Sequence, residues 1–130
     1  MINMKQKLPK LIMMLGILLP GLANSAVTED DFKVKTTRDL INLCTASPID
    51  PHYGDAINFC QGYMVGAYHY SLAEHSKDPK DALVCFPEPK PSRNEVVAMF
   101  VAWTKAHPQF MTDMPVETQF RFMSEKWPCN

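Results

Sequence analysis

The sequence has no surplus charge of one sign. Thirteen lysines and arginines stand against 14 aspartates and glutamates, a net charge of −1 over 130 residues. Without a basic excess nothing neutralises a phosphate backbone, which sets nucleic-acid binding aside. The main uncharged apolar run, residues 11–22, is twelve residues long, and a membrane-spanning helix needs roughly 20. Alternation of apolar and polar residues over five or more positions is absent, as are Asn-Gly and Asp-Gly turns, so half-buried strands and tight hairpins are not indicated. There is no serine elbow, no glycine-rich phosphate loop and no His-Glu-x-x-His. No two cysteines lie within zinc-finger reach, and His69 and His75 are six residues apart, off the spacing of a metal-binding helix pair. The length excludes a dinucleotide-binding pair of domains or a barrel enzyme. The hydrophobic fraction of 46% is that of a folded protein and excludes wholesale disorder.

What is present begins with an address. Lys5, Lys7 and Lys10 precede the apolar run, and Ala23-Asn24-Ser25-Ala26 follows it with small residues. This is the layout of a cleaved secretory leader over residues 1–25, cut after Ser25, with cleavage after Ala26 the close alternative. Its removal takes three lysines and leaves 105 residues with a net charge of −4. An exported chain with no stable membrane insertion is expected. All four cysteines, Cys44, Cys60, Cys85 and Cys129, remain. An even count in a small exported chain reads as two disulfides.

Residues 26–35 are short, charged and polar and read as a flexible N-terminal arm ahead of a domain over 36–130. Thr36-x-x-Asp39 resembles a capping box, so a first helix starts at Thr36 or Thr37 and carries Leu40, Leu43 and Cys44. Pro48 and Pro51 end it. A second helix runs from about Asp55 to His75, with Ala56, Phe59 or Cys60, Tyr63, Ala67 and Tyr70 at helical spacing. Gly62 and Gly66 lie four apart on it, and the cost of helical glycine suggests a close approach by a neighbouring element. Residues 77–91 form a proline-rich loop holding Cys85. Ser92-x-x-Glu95 behind Pro91 is a full capping box for a third helix, with Val96, Val97, Phe100 and Val101 on its apolar face. His107-Pro108 ends it, and His107 suits the negative end of the helix dipole. A fourth helix starts near Asp113 or Met114 with Pro115 in its first turn and repeats Val116, Phe120, Met123 and Trp127. The expected fold is an all-α bundle of about four helices.

Helix geometry selects among the three possible pairings. Cys44 ends the first helix and Cys60 lies in the second turn of the next, so an antiparallel pair brings them together. Cys85 just precedes the third helix and Cys129 just follows the fourth. Cys44–Cys60 and Cys85–Cys129 are therefore expected.

Asp39-Leu40-x-x-Leu43-Cys44, then Phe59-Cys60-Gln61-Gly62-Tyr63-Met64-x-Gly66, Cys85-Phe86-x-Pro, His107-Pro108 and Trp127-Pro128-Cys129 form an ordered set. From Thr36 to Cys129 this succession resembles the Rap/Tai-type immunity proteins of type VI secretion. The acidic, proline-rich stretch Glu88-Pro89-Lys90-Pro91 departs from the shorter turn expected there. The resemblance implies a small periplasmic helical protein that binds a cell-wall amidase effector and blocks it, with a homodimer as a further expectation. No catalytic residue, metal or cofactor is expected. The disulfide cysteines are bridges rather than nucleophiles. The candidate plug is the segment Glu74–Pro91, and the candidate partner-binding residues are Glu74, Lys77, Asp78, Lys80, Asp81 and Glu88 with Tyr68 and His69. For His69 the plainer alternative is a packed, hydrogen-bonded helix histidine. The competing function is a periplasmic stress protein of the HdeA-like chaperone kind, opening its apolar surface at low pH.

Overall fold

A computed structural model of the chain describes residues 25–76 and 78–129, with the side chain of Pro79 outside the description. The expected leader falls outside the described residues, apart from Ser25 at its edge. Four helices carry the fold: α1 (Thr37–Cys44), α2 (Tyr53–Glu74), α3 (Arg93–Ala106) and α4 (Pro115–Lys126). Short 3-10 turns stand at Asp31–Lys33, Pro79–Asp81 and Pro108–Phe110. No strand occurs among the described residues, and the class is all-α.

Two of the helices start where short-range chemistry says they must. Thr36 accepts from the Asp39 backbone N–H while Asp39 accepts from that of Thr36. Ser92 and Glu95 do the same for α3. Each box satisfies backbone donors that a helix N-terminus otherwise leaves free. Pro115 opens α4 at a position where its missing N–H costs nothing. At the end of α3, His107 Nδ1 lies 2.8 Å from the Trp103 carbonyl oxygen and its ring stacks on Trp103 at 3.9 Å.

The short helix α1 is the centre of the bundle and touches all three others. Leu40, Leu43, Ile41 and Cys44 are buried, packed with Ala56, Cys60 and Met64 of α2, Phe100 of α3 and Phe122 and Met123 of α4. One buried polar contact ties α1 to α4: the Thr37 hydroxyl donates to that of Thr118 at 2.7 Å. An aromatic chain crosses the other side, from Tyr68 through Phe86, Trp127 and Phe122 to Phe100, with centroids 4.6–5.6 Å apart. Both disulfides pair as helix geometry selected: Cys44–Cys60 with Cα atoms 5.2 Å apart, and Cys85–Cys129 at 5.0 Å.

Four readings differ in the structure. Residues 26–35, read as an arm, lie docked on the domain. Val27 and Asp31 are buried. Asp31 accepts from the Thr28 N–H, the Thr28 hydroxyl and the Asn42 amide, while the Val27 N–H donates to Asp50. A segment that is polar in composition docks here because its carboxylate answers several donors at once. Gly62 and Gly66 meet no neighbour: a Cβ at either would find nothing within 4 Å. Finally, α4 with its C-cap buries Met123 and Trp127 of the expected stripe, but its other buried residues are Pro115, Thr118, Gln119 and Phe122, with Val116 and Phe120 only half-buried. On α2 the fully buried residues are Ala56, Cys60 and Met64, whereas Tyr70 is 67% exposed.

The docked segment is acid-sensitive with a definite sign. Burial raises the Asp31 pKa, but the hydrogen bonds from Asn42 and Thr28 outweigh it and hold the carboxyl below its ordinary 3.8. The N–H groups of His52 and Val27 hold Asp50 low as well. A carboxylate with a depressed pKa stabilises the fold above its ordinary value and loses that contribution as pH falls through the folded-state value. Amide exchange at Val27 and Thr28 is therefore expected to be slow at neutral pH and to lose protection below pH 3.8. Asp31→Asn is expected to lower that protection already at neutral pH.

Candidate functional site

The second half of the loop between α2 and α3 is held from three directions. The Cys85 N–H donates to the Trp127 carbonyl at 2.9 Å, the Ser124 hydroxyl to the Leu83 carbonyl at 3.0 Å, and Cys85 is bonded to Cys129. Val84 is buried, and Phe86 sits between Tyr68 and Trp127. This fixed loop, with α2, the start of α3 and the middle of α4, walls a half-open cleft of about 360 Å³. That volume lies in the lower part of the range found for small-ligand sites.

The cleft is layered by burial. Met64, Met123 and Gln119 lie at its floor, fully or almost fully buried. Val65, Tyr68, Phe86, Val96 and Val97 are half-buried along its walls, and His69, Leu72, Lys90 and Arg93 stand exposed at its rim. Gln61 closes one end, where its amide donates to Asn94 Oδ1 at 2.7 Å. Beyond it a shallower depression, of about 350 Å³, lies over the Cys44–Cys60 bridge. Among the described residues, no acidic residue lines the main cleft.

Of the candidate residues read from the sequence, Tyr68 and His69 reach this cleft. Tyr68 meets Phe86 edge-on at 5.1 Å. The His69 side chain is exposed and makes no hydrogen bond among the described residues, so the packed-histidine alternative is not what the structure shows. Glu74, Asp78, Lys80, Asp81 and Glu88 are exposed and do not line the cleft, and Lys77 falls outside the described residues. The Asp78 carboxylate accepts from the Lys80 N–H and shapes the Pro79–Asp81 turn.

Sequence reading missed the floor. Gln119 is polar and adds nothing to an apolar periodicity, yet it stands four residues from both Pro115 and Met123 on the buried face of α4. An amide at an otherwise buried register position is the signal that could have found it. Lys90 and Arg93, the cationic part of the rim, flank Pro91-Ser92 and were read only as part of a loop and a cap. Among the described residues, no group of three or more His, Cys, Asp or Glu is placed to hold a metal ion, and no helix is long and apolar enough to cross a membrane.

Fold and cleft together define a small all-α domain, braced by two disulfides, with one fixed loop walling a largely apolar recess. A family model described as Rap1a immunity proteins matches residues 36–129, and the chain belongs to that family. Comparison with curated proteins and with solved structures gave no match.

Proposed function

We propose that this chain is a periplasmic immunity protein of type VI secretion, exported by its leader and cleaved, which binds and occludes a cell-wall amidase effector. The observation that carries the reading is the family match across the domain from the α1 cap to the last cysteine. The loop supports occlusion: its second half is pinned by Cys85–Cys129, while Asp78, Lys80 and Asp81 in its first half stand exposed. A segment tethered by a covalent bond at one end loses less freedom on entering a partner's cleft. The plug is Glu74–Pro91, with Glu74, Lys77, Asp78, Lys80, Asp81 and Glu88 meeting the partner and Tyr68 and His69 beside them. A homodimer belongs to the same reading, because Tyr53, Phe59, Tyr70 and Leu72 leave apolar surface on α2 open to solvent. The protein acts by binding and needs no cofactor.

The test is protection. A secreted cell-wall hydrolase encoded beside this chain, directed to the periplasm of a bacterial host, is expected to lyse cells alone and to be silent when this chain is co-exported. Deleting residues 78–82 is expected to abolish protection while both disulfides still form. Lysis unchanged by the intact chain overturns the reading, and protection by the loop deletion overturns the plug.

A further inference from the structure

The floor of the cleft holds an unanswered acceptor. Gln119 is fully buried, and its amide nitrogen is committed to the Met64 carbonyl oxygen at 2.8 Å, with Met123 Sδ at 3.5 Å. That commitment orients the amide, since the opposite orientation would set oxygen against oxygen. Gln119 Oε1 is then left buried without a partner. Buried side-chain acceptors are nearly always satisfied, so an orphan of this kind points to a missing donor. Met64 and Met123 flank it in the cleft lining, and methionine side chains rearrange at low cost. A donor entering from the cleft reaches Oε1 when they part.

The surroundings restrict what brings that donor. The walls are Val65, Tyr68, Phe86, Val96 and Val97, so the entering body is apolar. Lys90 and Arg93 stand at the rim, without an ion pair among the described residues and with no acid lining the cleft. A lysine or arginine donor is repelled there and must also shed its hydration against apolar walls. A neutral donor at the far end of an apolar body remains, which among side chains is tryptophan N–H or tyrosine O–H. Such side chains are common anchors at protein interfaces. The unpaired cations add a carboxylate next to the aromatic residue.

We infer that the cleft between α2, α3 and α4 is an anchor socket for a partner protein, receiving a tryptophan or tyrosine side chain that donates to Gln119 Oε1 while an adjacent carboxylate of the same segment meets Lys90 and Arg93. The inference rests on the proposed role as a protein binder and adds the chemistry of the bound segment. It gives the chain two contacts of opposite sense: a loop that enters the partner and a socket that is entered.

The experiment uses the oxidised, exported protein, labelled with nitrogen-15, and three blocked dipeptides as probes: acetyl-Trp-Asp-amide, acetyl-Phe-Asp-amide and acetyl-Trp-Asn-amide. With Trp-Asp, the Gln119 side-chain amide and the backbone signals of Met64, Tyr68 and Val97 are expected to shift and to saturate in the millimolar range typical of a single anchor. Phe-Asp, which lacks the donor, is expected to bind about three- to tenfold more weakly, the equivalent of one net hydrogen bond. Trp-Asn is expected to bind more weakly than Trp-Asp, through loss of the charge. Gln119→Leu is expected to erase the Trp-over-Phe preference. Val97→Phe, which narrows the cleft and leaves Gln119 intact, is expected to abolish binding while helical circular dichroism is kept. Saturation without a Trp-over-Phe preference overturns the donor assignment, and so does a preference that survives Gln119→Leu. Equal binding of Trp-Asp and Trp-Asn overturns the role of Lys90 and Arg93. No shift with any probe at about 10 mM, where even a weak anchor is partly occupied, overturns the socket and leaves Oε1 to a trapped water. These readouts use no effector, so their failure is distinct from failure of the protection assay.

Discussion

Replacing Phe122 with alanine is expected to cost about 3–5 kcal/mol, the range for deleting a phenyl ring from a packed core. Phe122 is fully buried. Its ring lies 5.6 Å from Phe100, 5.6 Å from Trp127 and 6.1 Å from Trp103. It is thus the point where the aromatic chain behind the loop meets the side of the core formed by α1 and α3. Its neighbours are held by helices on both sides and by the Cys85–Cys129 bridge, so the space left behind will not fully collapse. Domains of this size have only about 5–15 kcal/mol of stability in total, so one ring is a large share. Urea unfolding under non-reducing conditions is the measurement, with the midpoint expected to fall sharply at unchanged slope. Ile49→Ala serves as the control. Ile49 is 92% exposed, and its loss is expected to change stability by less than about 0.5 kcal/mol.

Opening the Cys85–Cys129 bridge by a Cys85→Ala/Cys129→Ala pair is expected to cost about 4 kcal/mol. The chain-entropy relation rises with the length of the closed loop, and this bridge closes a separation of 44 residues. Cys44–Cys60 closes 16 and is expected to contribute about 3 kcal/mol on the same scale. The longer bridge also has a local role that the shorter lacks. It anchors the strip that seats Val84 and Phe86, so its loss is expected to free the cleft wall before the bundle melts. Limited proteolysis across residues 78–91, followed alongside thermal unfolding, separates the two effects. Faster cutting at temperatures where the helices persist is the expected sign. Cutting that starts only with global melting would show that Trp127 and Ser124 hold the strip unaided.

The parts of the fold legible in the sequence are those set within a few residues. Thr36 with Asp39 and Ser92 with Glu95 are reciprocal pairs three positions apart, and both cap their helices as read. The cysteine pairing was legible one level up, because consecutive antiparallel helices bring these positions together. Facing was harder. The α2 sequence is apolar almost all round, so periodicity placed Tyr70 inside, and the core took Met64. On α4 the buried positions include Thr118 and Gln119, whose polarity hid them, while Val116 and Phe120, counted in the stripe, are only half-buried. The docking of residues 27–34 was invisible because Val27 finds Asp50 at a distance of 23 positions. The same holds for the candidate site: Gln119 meets Met64 across 55 positions, and nothing local announces an amide waiting for a donor.

The two bridges join first cysteine to second and third to fourth, without interleaving. If the chain is exported as proposed and threaded N-terminus first into an oxidising compartment, that arrangement sets a timetable. Cys44 and Cys60 arrive close together and can find each other while the whole loop between α2 and α3 is still to come. Cys85 then has no unbonded companion until Cys129 appears, by which time α3 and α4 have both emerged to guide it. Pairing in order of arrival yields the native bonds directly, so oxidation needs no later reshuffling to reach them.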